Sequence, residues 1–543
     1  MFSEPVIGER FFGREEVLEL LNKRVLALKD GYRQNVALTG QSLSGKSSII
    51  LHFLHTVNSE GFIPVYVEVV KEPFRAFSNK FIATVLYNSL KKMGKDVEVD
   101  MARLLEVAQK SIPKTCQMAR QVNISIDRGD LDEAYMGLLG LTSALKDESG
   151  LSCVVILDEF DNLEHLGIKN PFLSFGKVIM VQKDTMYIVS SSRNEAIKKI
   201  ISEKLSLLFG NFEVVKVANF DIATSARFID MKFAGFEISL FLKKFLIMFT
   251  DGNPFYLSRI ASRAKEIALE RPSTLIDEGS IAVAILDLVY HANGVIHQYL
   301  LNFMLTVLDA RNRENDLSIL TAIAHGRNTQ SEIARGLKTK QGDVSKSLAR
   351  LLDLGILTKN GVFYEIEDVI FSFWLRSVYQ RRKELLVDGT FDRMGLFRKD
   401  VMAYIDAYSR DCSKSAAQRM SELFNLFANE LVSIDSKHMR LPHFTKVDIK
   451  AQQDSSSVIT ASFRGNSWIA QVYERPVSEN DIINYIKNVK ASGCKVSNKV
   501  LIAMAGIDEN AKLLAKELKI SIWDDSVADS LLGFYGMRRM VVL

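Results

Sequence analysis

The sequence predicts an α/β fold built on a parallel sheet, and three observations predict it. The octet Gly40-Gln41-Ser42-Leu43-Ser44-Gly45-Lys46-Ser47 fits the pattern GxxxxGK[ST] and follows directly on the strand-like run Asn35 to Thr39. Cys153-Val154-Val155-Ile156-Leu157-Asp158-Glu159 is a continuous apolar run ending in two carboxylates, the pattern of a strand buried on both faces. Further apolar strands alternate with helical patterns through the N-terminal part, as expected for a parallel sheet covered by helices.

The octet carries specific chemistry. A glycine-rich turn entering a helix aims several backbone N–H groups at one point, and the helix N-terminus adds partial positive charge. Phosphate oxygens fill such a nest, which makes Gly40, Gln41, Ser42, Leu43, Ser44 and Gly45 candidate nucleotide-binding residues. Lys46 would reach the β and γ phosphates, the Ser47 hydroxyl would complete the coordination of Mg2+, and Ser48 supplies a second hydroxyl beside it. Ligands of parallel sheets bind beyond the carboxyl ends of the strands. Asp158 is therefore expected near the metal, and Glu159 is expected to orient or deprotonate the attacking water. ATP and Mg2+ are the cofactors implied.

A chain of 543 residues corresponds to about three or four domains. No run of eighteen or more uncharged apolar residues occurs, and Met1-Phe2-Ser3-Glu4-Pro5 lacks the basic and apolar regions of a signal peptide. A cytoplasmic protein without a membrane partner is expected. Cys116, Cys153, Cys412 and Cys494 stand far apart, with no CxxC pair and no His at ligand spacing. They are expected to be buried thiols rather than a disulfide framework or a zinc site.

In order along the first domain, Phe62 to Val70 is a second buried strand, and a mostly helical insertion spans roughly residues 75–148 before the acidic strand. Met186 to Arg193 is a further strand whose end, Ser190-Ser191-Ser192-Arg193, turns polar. There a hydroxyl, Ser192 above all, could contact the γ phosphate or the water. Glu213 to Val217 is the fifth strand.

With Phe11-Phe12-Gly13-Arg14-Glu15, the phosphate loop, Leu157-Asp158-Glu159-Phe160-Asp161 and Gly252-Asn253-Pro254-Phe255-Tyr256-Leu257 in this order, the chain resembles an archaeal-type ATPase of the AAA+/STAND group, of the ASCE class of P-loop proteins. The resemblance implies a sheet order 5-1-4-3-2, with Phe12, Gly13 and Arg14 flanking the adenine and Pro254 opening a helical lid element. Taken singly, Gly13-Arg14 also fits a helix start and Gly252-Asn253-Pro254 a plain turn. The group has a Gly-Arg pair before the fifth strand where this chain has Gly210-Asn211. Arg193 is the nearest substitute, either at the γ phosphate or as a surface arginine, and hydrolysis is expected to be weak or partner-stimulated.

From Asp316 to about Asp368 the pattern fits a winged helix-turn-helix. Leu317 to Ala324 gives a first helix, Asn328-Thr329-Gln330-Ser331-Glu332 offers an N-cap and first-turn acid for a second through Leu337, and Gln341 to Leu352 gives a third, with apolar residues at Val344, Leu348, Leu351 and Leu352. Ile356-Leu357-Thr358 and Val362 to Ile366 flank Lys359-Asn360-Gly361, where Asn-Gly signals the hairpin turn. Gln341, Ser345, Lys346 and Arg350 are expected to face outward on the third helix, the element that enters the major groove. Lys359, Lys338, Lys340 and Arg335 could reach phosphates. Between Arg311 and Lys383 stand thirteen Lys plus Arg against eight Asp plus Glu, a surplus of five where the whole chain has +4. That concentration points to double-stranded DNA, while a protein partner remains the alternative.

The segments Phe444 to Ile449, Trp468 to Tyr473, a helix near Asn480 to Val489, Lys499 to Met504 and Ile520 to Asp524 resemble a C-terminal domain of restriction-endonuclease type. An active nuclease of that kind needs an acid on one strand and Glu-x-Lys on the next, to hold Mg2+ and stabilise the attacking water. Asp448 matches the first acid, but the second motif reads Gln471-Val472-Tyr473, so a degenerate, inactive nuclease-like domain is expected. The domain layout is then 1–220 ATPase core, 221–310 helical lid, 311–370 winged helix, 371–430 helical connector and 431–543 nuclease-like domain. The function expected is an ATP-binding and slowly hydrolysing DNA-binding switch, able to form an ATP-dependent homo-oligomer. The alternatives are an ATP-dependent nuclease and a protein-interaction ATPase.

Overall fold

The computed structural model describes residues 4–57, 61–205, 211–271, 274–382, 393–434, 437–452, 456–493 and 495–543; Gly210 and Cys494 lie outside them. It divides into two units, Met1–Asn219 and Phe220–Leu543.

The first unit is built on five strands, β1 (Asn35–Thr39), β2 (Phe62–Glu68), β3 (Ser152–Asp158), β4 (Thr185–Ser191) and β5 (Phe212–Lys216). Every neighbouring pair is parallel, and the order β2-β3-β4-β1-β5 is the expected one read from the opposite edge. Alternation along the strands supplies two cores. Val36, Leu38, Val154 and Ile156 pack with Leu21 of α1 (Glu15–Lys29) and with Ile49 and Phe53 of α2 (Lys46–Thr56). Ala37, Val155 and Leu157 face the other way, onto the insertion, which folds as α3 (Phe74–Lys92), α4 (Met101–Ser111), α5 (Pro113–Asp127) and α6 (Leu131–Ser149). Beyond the acidic strand, α7 (Pro171–Val181) precedes β4 and α8 (Asn194–Lys199) follows it.

The second unit opens with five helices, α9 (Ile222–Lys232), α10 (Leu240–Thr250), α11 (Pro254–Leu269), α12 (Glu278–Ile285) and α13 (Val295–Val307), and a short parallel pair, β6 (Glu237–Ile238) and β7 (Leu275–Ile276). Pro254 is the first residue of α11, where its missing N–H costs nothing. Asn253 caps the helix by accepting from Phe255 N at 3.1 Å and Tyr256 N at 3.4 Å.

Next come α14 (Arg313–Ala324), α15 (Gln330–Leu337), α16 (Gln341–Asp353) and the antiparallel hairpin β8 (Leu357–Asn360) and β9 (Phe363–Ile366). Within the expected capping segment Asn328 to Glu332, Thr329 is the N-cap of α15 and forms a capping box with Glu332. Two expectations are corrected. α14 begins at Arg313 rather than Leu317, with Glu314 and Asp316 in its first turn, where acids favour a helix start. The hairpin turn is Gly361-Val362 and not Asn360-Gly361, because Asn360 pairs with Phe363 in the ladder and Gly361, at φ 58°, takes the left-handed first turn position.

That hairpin is anchored at its tip. Val362 N donates to Leu431 O at 3.1 Å. Asn360 exchanges two hydrogen bonds with Ser433, Nδ2 to the carbonyl at 3.0 Å and Ser433 N to Oδ1 at 2.7 Å. A Cβ on Gly361 would lie 1.8 Å from Leu431 O, so only glycine permits the approach. Phe363 stacks on Phe534 at 5.0 Å and joins the core of the C-terminal region.

After α17 (Val369–Trp374), α18 (Arg393–Cys412) and α19 (Ala416–Leu426) lead to the hairpin β10 (Glu430–Ile434) and β11 (Lys437–Leu441). The closing sheet runs β12 (Lys446–Ala451), β13 (Ser457–Phe463), β14 (Asn466–Tyr473), β15 (Val496–Ala503) and β16 (Ser521–Asp524) in chain order, antiparallel as far as β14 and parallel beyond it. Helices α20 (Glu479–Ala491), α21 (Glu509–Glu517) and α22 (Asp525–Phe534) complete it. β10, β11 and β13 were not among the expected strands. Cys116 and Cys153 are buried as expected, but Cys412, on the last turn of α18, is exposed.

Candidate nucleotide site

The phosphate loop leaves β1 at Gly40, where a Cβ would stand 2.2 Å from Val217 O; the loop can pass this close to the chain leaving β5 only as glycine. Gly45, at φ 98°, then starts α2 with no side-chain cap. An uncapped helix start leaves its first N–H groups for an anion. Ser44 Oγ is buried without a hydrogen-bond partner, a further polar atom facing inward.

Lys46 is buried and folded back: its ammonium donates to Gly40 O at 3.0 Å, Gln41 O at 2.9 Å and Ser192 Oγ at 3.0 Å. Ser47 Oγ donates to Asp158 Oδ2 at 2.7 Å. These two oxygens are hard donors in contact, the pair that would hold Mg2+ between them. The octet and Asp158 thus fit a nucleotide with its metal in loop geometry, helix start and donor chemistry.

At the ends of β3 and β4 three consecutive serines each serve one carboxylate. Ser190 Oγ donates to Asp158 Oδ1, Ser191 Oγ to Asp161 Oδ1 at 2.7 Å, and Ser192 Oγ to Glu159 Oε1 at 2.5 Å. Ser192 N adds a contact to Glu159 Oε2 at 3.3 Å. Glu159 sits in the left-handed region at φ 53°, a conformation costing about 1–3 kcal/mol for a non-glycine residue and held here by its neighbours. Burial pushes the Glu159 carboxyl above its ordinary range, opposed by Lys46 and the Ser192 hydroxyl. A raised carboxyl at the strand end has the character of a proton acceptor.

Besides Ser191, four supporting residues were given no role of their own from sequence. Tyr66 OH donates to Asp158 Oδ2 at 3.0 Å from β2, and burial raises its phenol further. Ser190 also accepts from Glu159 N at 3.2 Å. Asp161, buried, forms an ion pair with Arg193, so Arg193 is neither a bare surface arginine nor free of a partner. Asn219 Nδ2 reaches Gln41 Oε1 at 3.5 Å. For the serines, the signal available was the run itself, three hydroxyls in succession at the end of a strand beside the acidic one.

The N-terminal box lies against the loop. Arg14, at φ 71°, caps α1 in position and donates to Ser44 O at 3.0 Å and Ala218 O at 2.7 Å, bracing the phosphate loop to the chain beyond β5. Gly13 precedes it at φ 68°. Phe11 stacks on His52 of α2, centroids 4.0 Å apart and nearly coplanar. Ser48 Oγ accepts from Val6 N at 3.0 Å, so the second hydroxyl is engaged by the N-terminal segment. Leu43, at φ 63°, and Ser42 complete the loop.

On α16, Gln341, Ser345 and Lys346 are exposed, as is Lys359 on β8, over the Tyr364 ring. Arg350 is a correction: it clamps the fully buried Asp316 of α14 with both arms of its guanidinium and does not face outward. In the C-terminal sheet Asp448 is exposed and pairs with Lys446 at 2.7 Å, whereas Gln471 and Tyr473 are fully buried. Gln471 Nε2 donates to Ser456 Oγ at 2.8 Å, which satisfies it inside the fold.

Residues 10–168 match the family described as the AAA ATPase domain. Among solved structures, the Walker-type ATPase PABY2304 of Pyrococcus abyssi aligns with a TM-score of 0.50 at 20% identity, over 69% of this chain and 99% of that one. The ORC2 protein of Aeropyrum pernix, in ADPNP-ADP complexes, aligns with a TM-score of 0.43 at 14% identity, over 74% of this chain and 98% of that one. No curated protein matches the sequence. The chain carries a P-loop AAA ATPase domain.

Proposed function

We propose that this protein is a slowly hydrolysing ATPase of STAND type whose nucleotide state governs binding to double-stranded DNA. The observation that carries the ATPase part is the chain of contacts Lys46 to Ser192 to Glu159, beside the Ser47–Asp158 pair. Phosphate-binding lysine, hydroxyl and candidate base stand in one line. When phosphate engages Lys46, its bonds to Gly40 O and Gln41 O are exchanged, and Ser192 carries the change to Glu159. The Ser47 and Asp158 oxygens would hold Mg2+, and the chemistry it would supply is neutralisation of developing phosphate charge. Glu159 accepts the proton of the attacking water. Arg193 stabilises the γ phosphate only after leaving Asp161, and that requirement supports slow or partner-stimulated turnover. Phe12, Gly13 and Arg14 flank the adenine, and Pro254 belongs to the lid.

The DNA part rests on α14 to α16 as a helix-turn-helix with Gln341, Ser345 and Lys346 outward, with Lys359 beside it. A specific observation favours a second assignment: the hairpin β8–β9 is tied by its tip to β10, so this module also serves as an internal bracket, and α16 could face a protein. The C-terminal sheet is a nuclease-like scaffold without cutting activity, Gln471 and Tyr473 replacing the acid and the lysine. ATP-dependent self-association belongs to the same proposal. Single-turnover hydrolysis by wild-type and Glu159→Gln protein tests the catalytic part: ATP should bind both and be split only by the first. Equal hydrolysis by the two removes Glu159 from its role.

A further inference from the structure

The second unit holds a cavity of about 510 Å³ at the meeting of α14, α17 with its continuation, α18 and the C-terminal tail. Its size lies within the range of small-molecule sites. Its lining brings together the guanidinium groups of Arg376, Arg381 and Arg538, with Asp400 as the one acid on its wall among the described residues.

The charges are not evenly matched. Arg381 is held by Asp400, with Nη2 donating to Oδ1 at 3.0 Å. Arg538 Nη1 donates to Asp411 Oδ2 at 2.8 Å, while its Nε is buried without a hydrogen-bond partner. Arg376 makes no ion pair among the described residues. Its guanidinium lies 5.8 Å from the centroid of the Tyr404 ring, and that of Arg538 lies 4.7 Å from the same ring. Two guanidinium groups therefore converge on one aromatic ring, and only one has a carboxylate. His325 Nδ1 donates to Thr321 O at 2.8 Å, which fixes the ring at the rim. Converging cations in a concave, partly desolvated space repel each other unless an anion sits between them. Planar guanidinium forks match the oxygens of phosphate.

We propose that this cavity binds the phosphate of a small phosphorylated metabolite of mononucleotide size, anchored by Arg376 and Arg538. A concave volume of about 510 Å³ matches the size of a free small molecule, and Asp400 offers an acceptor for a sugar hydroxyl or base amino group. Its lining includes no residue of the octet Gly40 to Ser47. It joins helices from three parts of the unit, so its occupant would bind them together.

The test is isothermal titration of the full chain with uridine 5′-monophosphate and with inorganic phosphate, in the Lys46→Ala background so that the phosphate loop contributes little. Saturable binding with Kd below about 1 mM is expected for the nucleotide, and none for uridine. Arg376→Gln should weaken it about tenfold or more, since a charge-assisted contact to phosphate is lost. Arg376→Lys, which keeps the charge without the fork, should fall between and guards against a folding defect, checked by circular dichroism. Absence of binding by both probes at millimolar concentration overturns the proposal, as does equal affinity in both Arg376 variants and the parent. Displacement of the nucleotide by a short DNA duplex would assign the cavity to the DNA backbone and overturn the small-ligand assignment.

Discussion

The two five-stranded sheets of this chain treat the polar residues at their strand ends in opposite ways. In β1–β5, Asp158, Glu159 and Asp161 are each held by one serine of a consecutive run, and Lys46 is held by two loop carbonyls and Ser192. Small hydroxyls and carbonyls hold Lys46 and Glu159 by bonds that a ligand can replace, while Asp161 also pairs with Arg193 and Asp158 also accepts from Tyr66. In β12–β16 the comparable strand carries Gln471 and Tyr473, both sealed in the fold, and the exposed Asp448 is neutralised by Lys446. Stability alone asks that buried polar groups be satisfied. Chemistry also asks that the satisfaction be exchangeable, and only the first sheet meets both demands.

The contrast can be broken most strongly at Glu159. Replacement by Gln should lower ATP turnover by about 10²–10⁴-fold, the range for losing a general base, with ATP still retained. Lys46→Ala should instead cut ATP affinity by about a hundredfold, through loss of a charged phosphate contact in a buried site, as read by fluorescent-nucleotide titration. If both variants retain ATP equally, the two roles have been confused. A third variant sharpens the correction on α16. Arg350→Ala should cost about 2–3 kcal/mol of stability in denaturant, somewhat under the usual loss for a broken buried pair because Arg350 is partly exposed. Lys346→Glu should leave that stability unchanged and weaken salt-dependent duplex binding.

Glu365 gives a smaller effect with a definite sign. Its side chain lies against α22 near Gly533, and burial pushes its carboxyl up to about 7. The folded form thus holds its proton more tightly than the unfolded chain, so stability falls as pH rises from about 4.5 to 7 and is flat above. Glu365→Gln should remove that slope and gain about 1–2 kcal/mol at pH 8, measured by denaturant unfolding at several pH values. Unchanged slopes would place the ionisation elsewhere. Smallest of all, Asp448→Ala should have no effect on plasmid integrity in Mg2+, because no cutting is expected from wild type; cutting lost in the variant would restore the nuclease alternative.

The ATPase site was legible because its chemistry is local. Gly40 to Ser47 fixes a turn and a helix start within one stretch, and the run Cys153 to Glu159 declares both burial and the acids at its end. What escaped was set by contacts far apart in sequence. Asp161 holding Arg193, Tyr66 reaching Asp158 and Asp316 capturing Arg350 from outward-facing duty are all tertiary pairings that periodicity does not encode. The hairpin turn was misplaced by one residue because Asn360 serves Ser433 and not the turn, a demand that comes from β10. β13 did leave a local sign, the β-rich run Ser457 to Phe463 before Arg464-Gly465, both left-handed in the turn.

The most direct test of the switch is fluorescence anisotropy of a labelled duplex titrated with Glu159→Gln protein, in ATP-Mg2+ and in ADP. Tight, salt-sensitive binding in one nucleotide state and weak binding in the other is the result predicted. The same affinity in both states, or none in either, would contradict nucleotide-governed DNA binding and turn attention to a protein partner for α16.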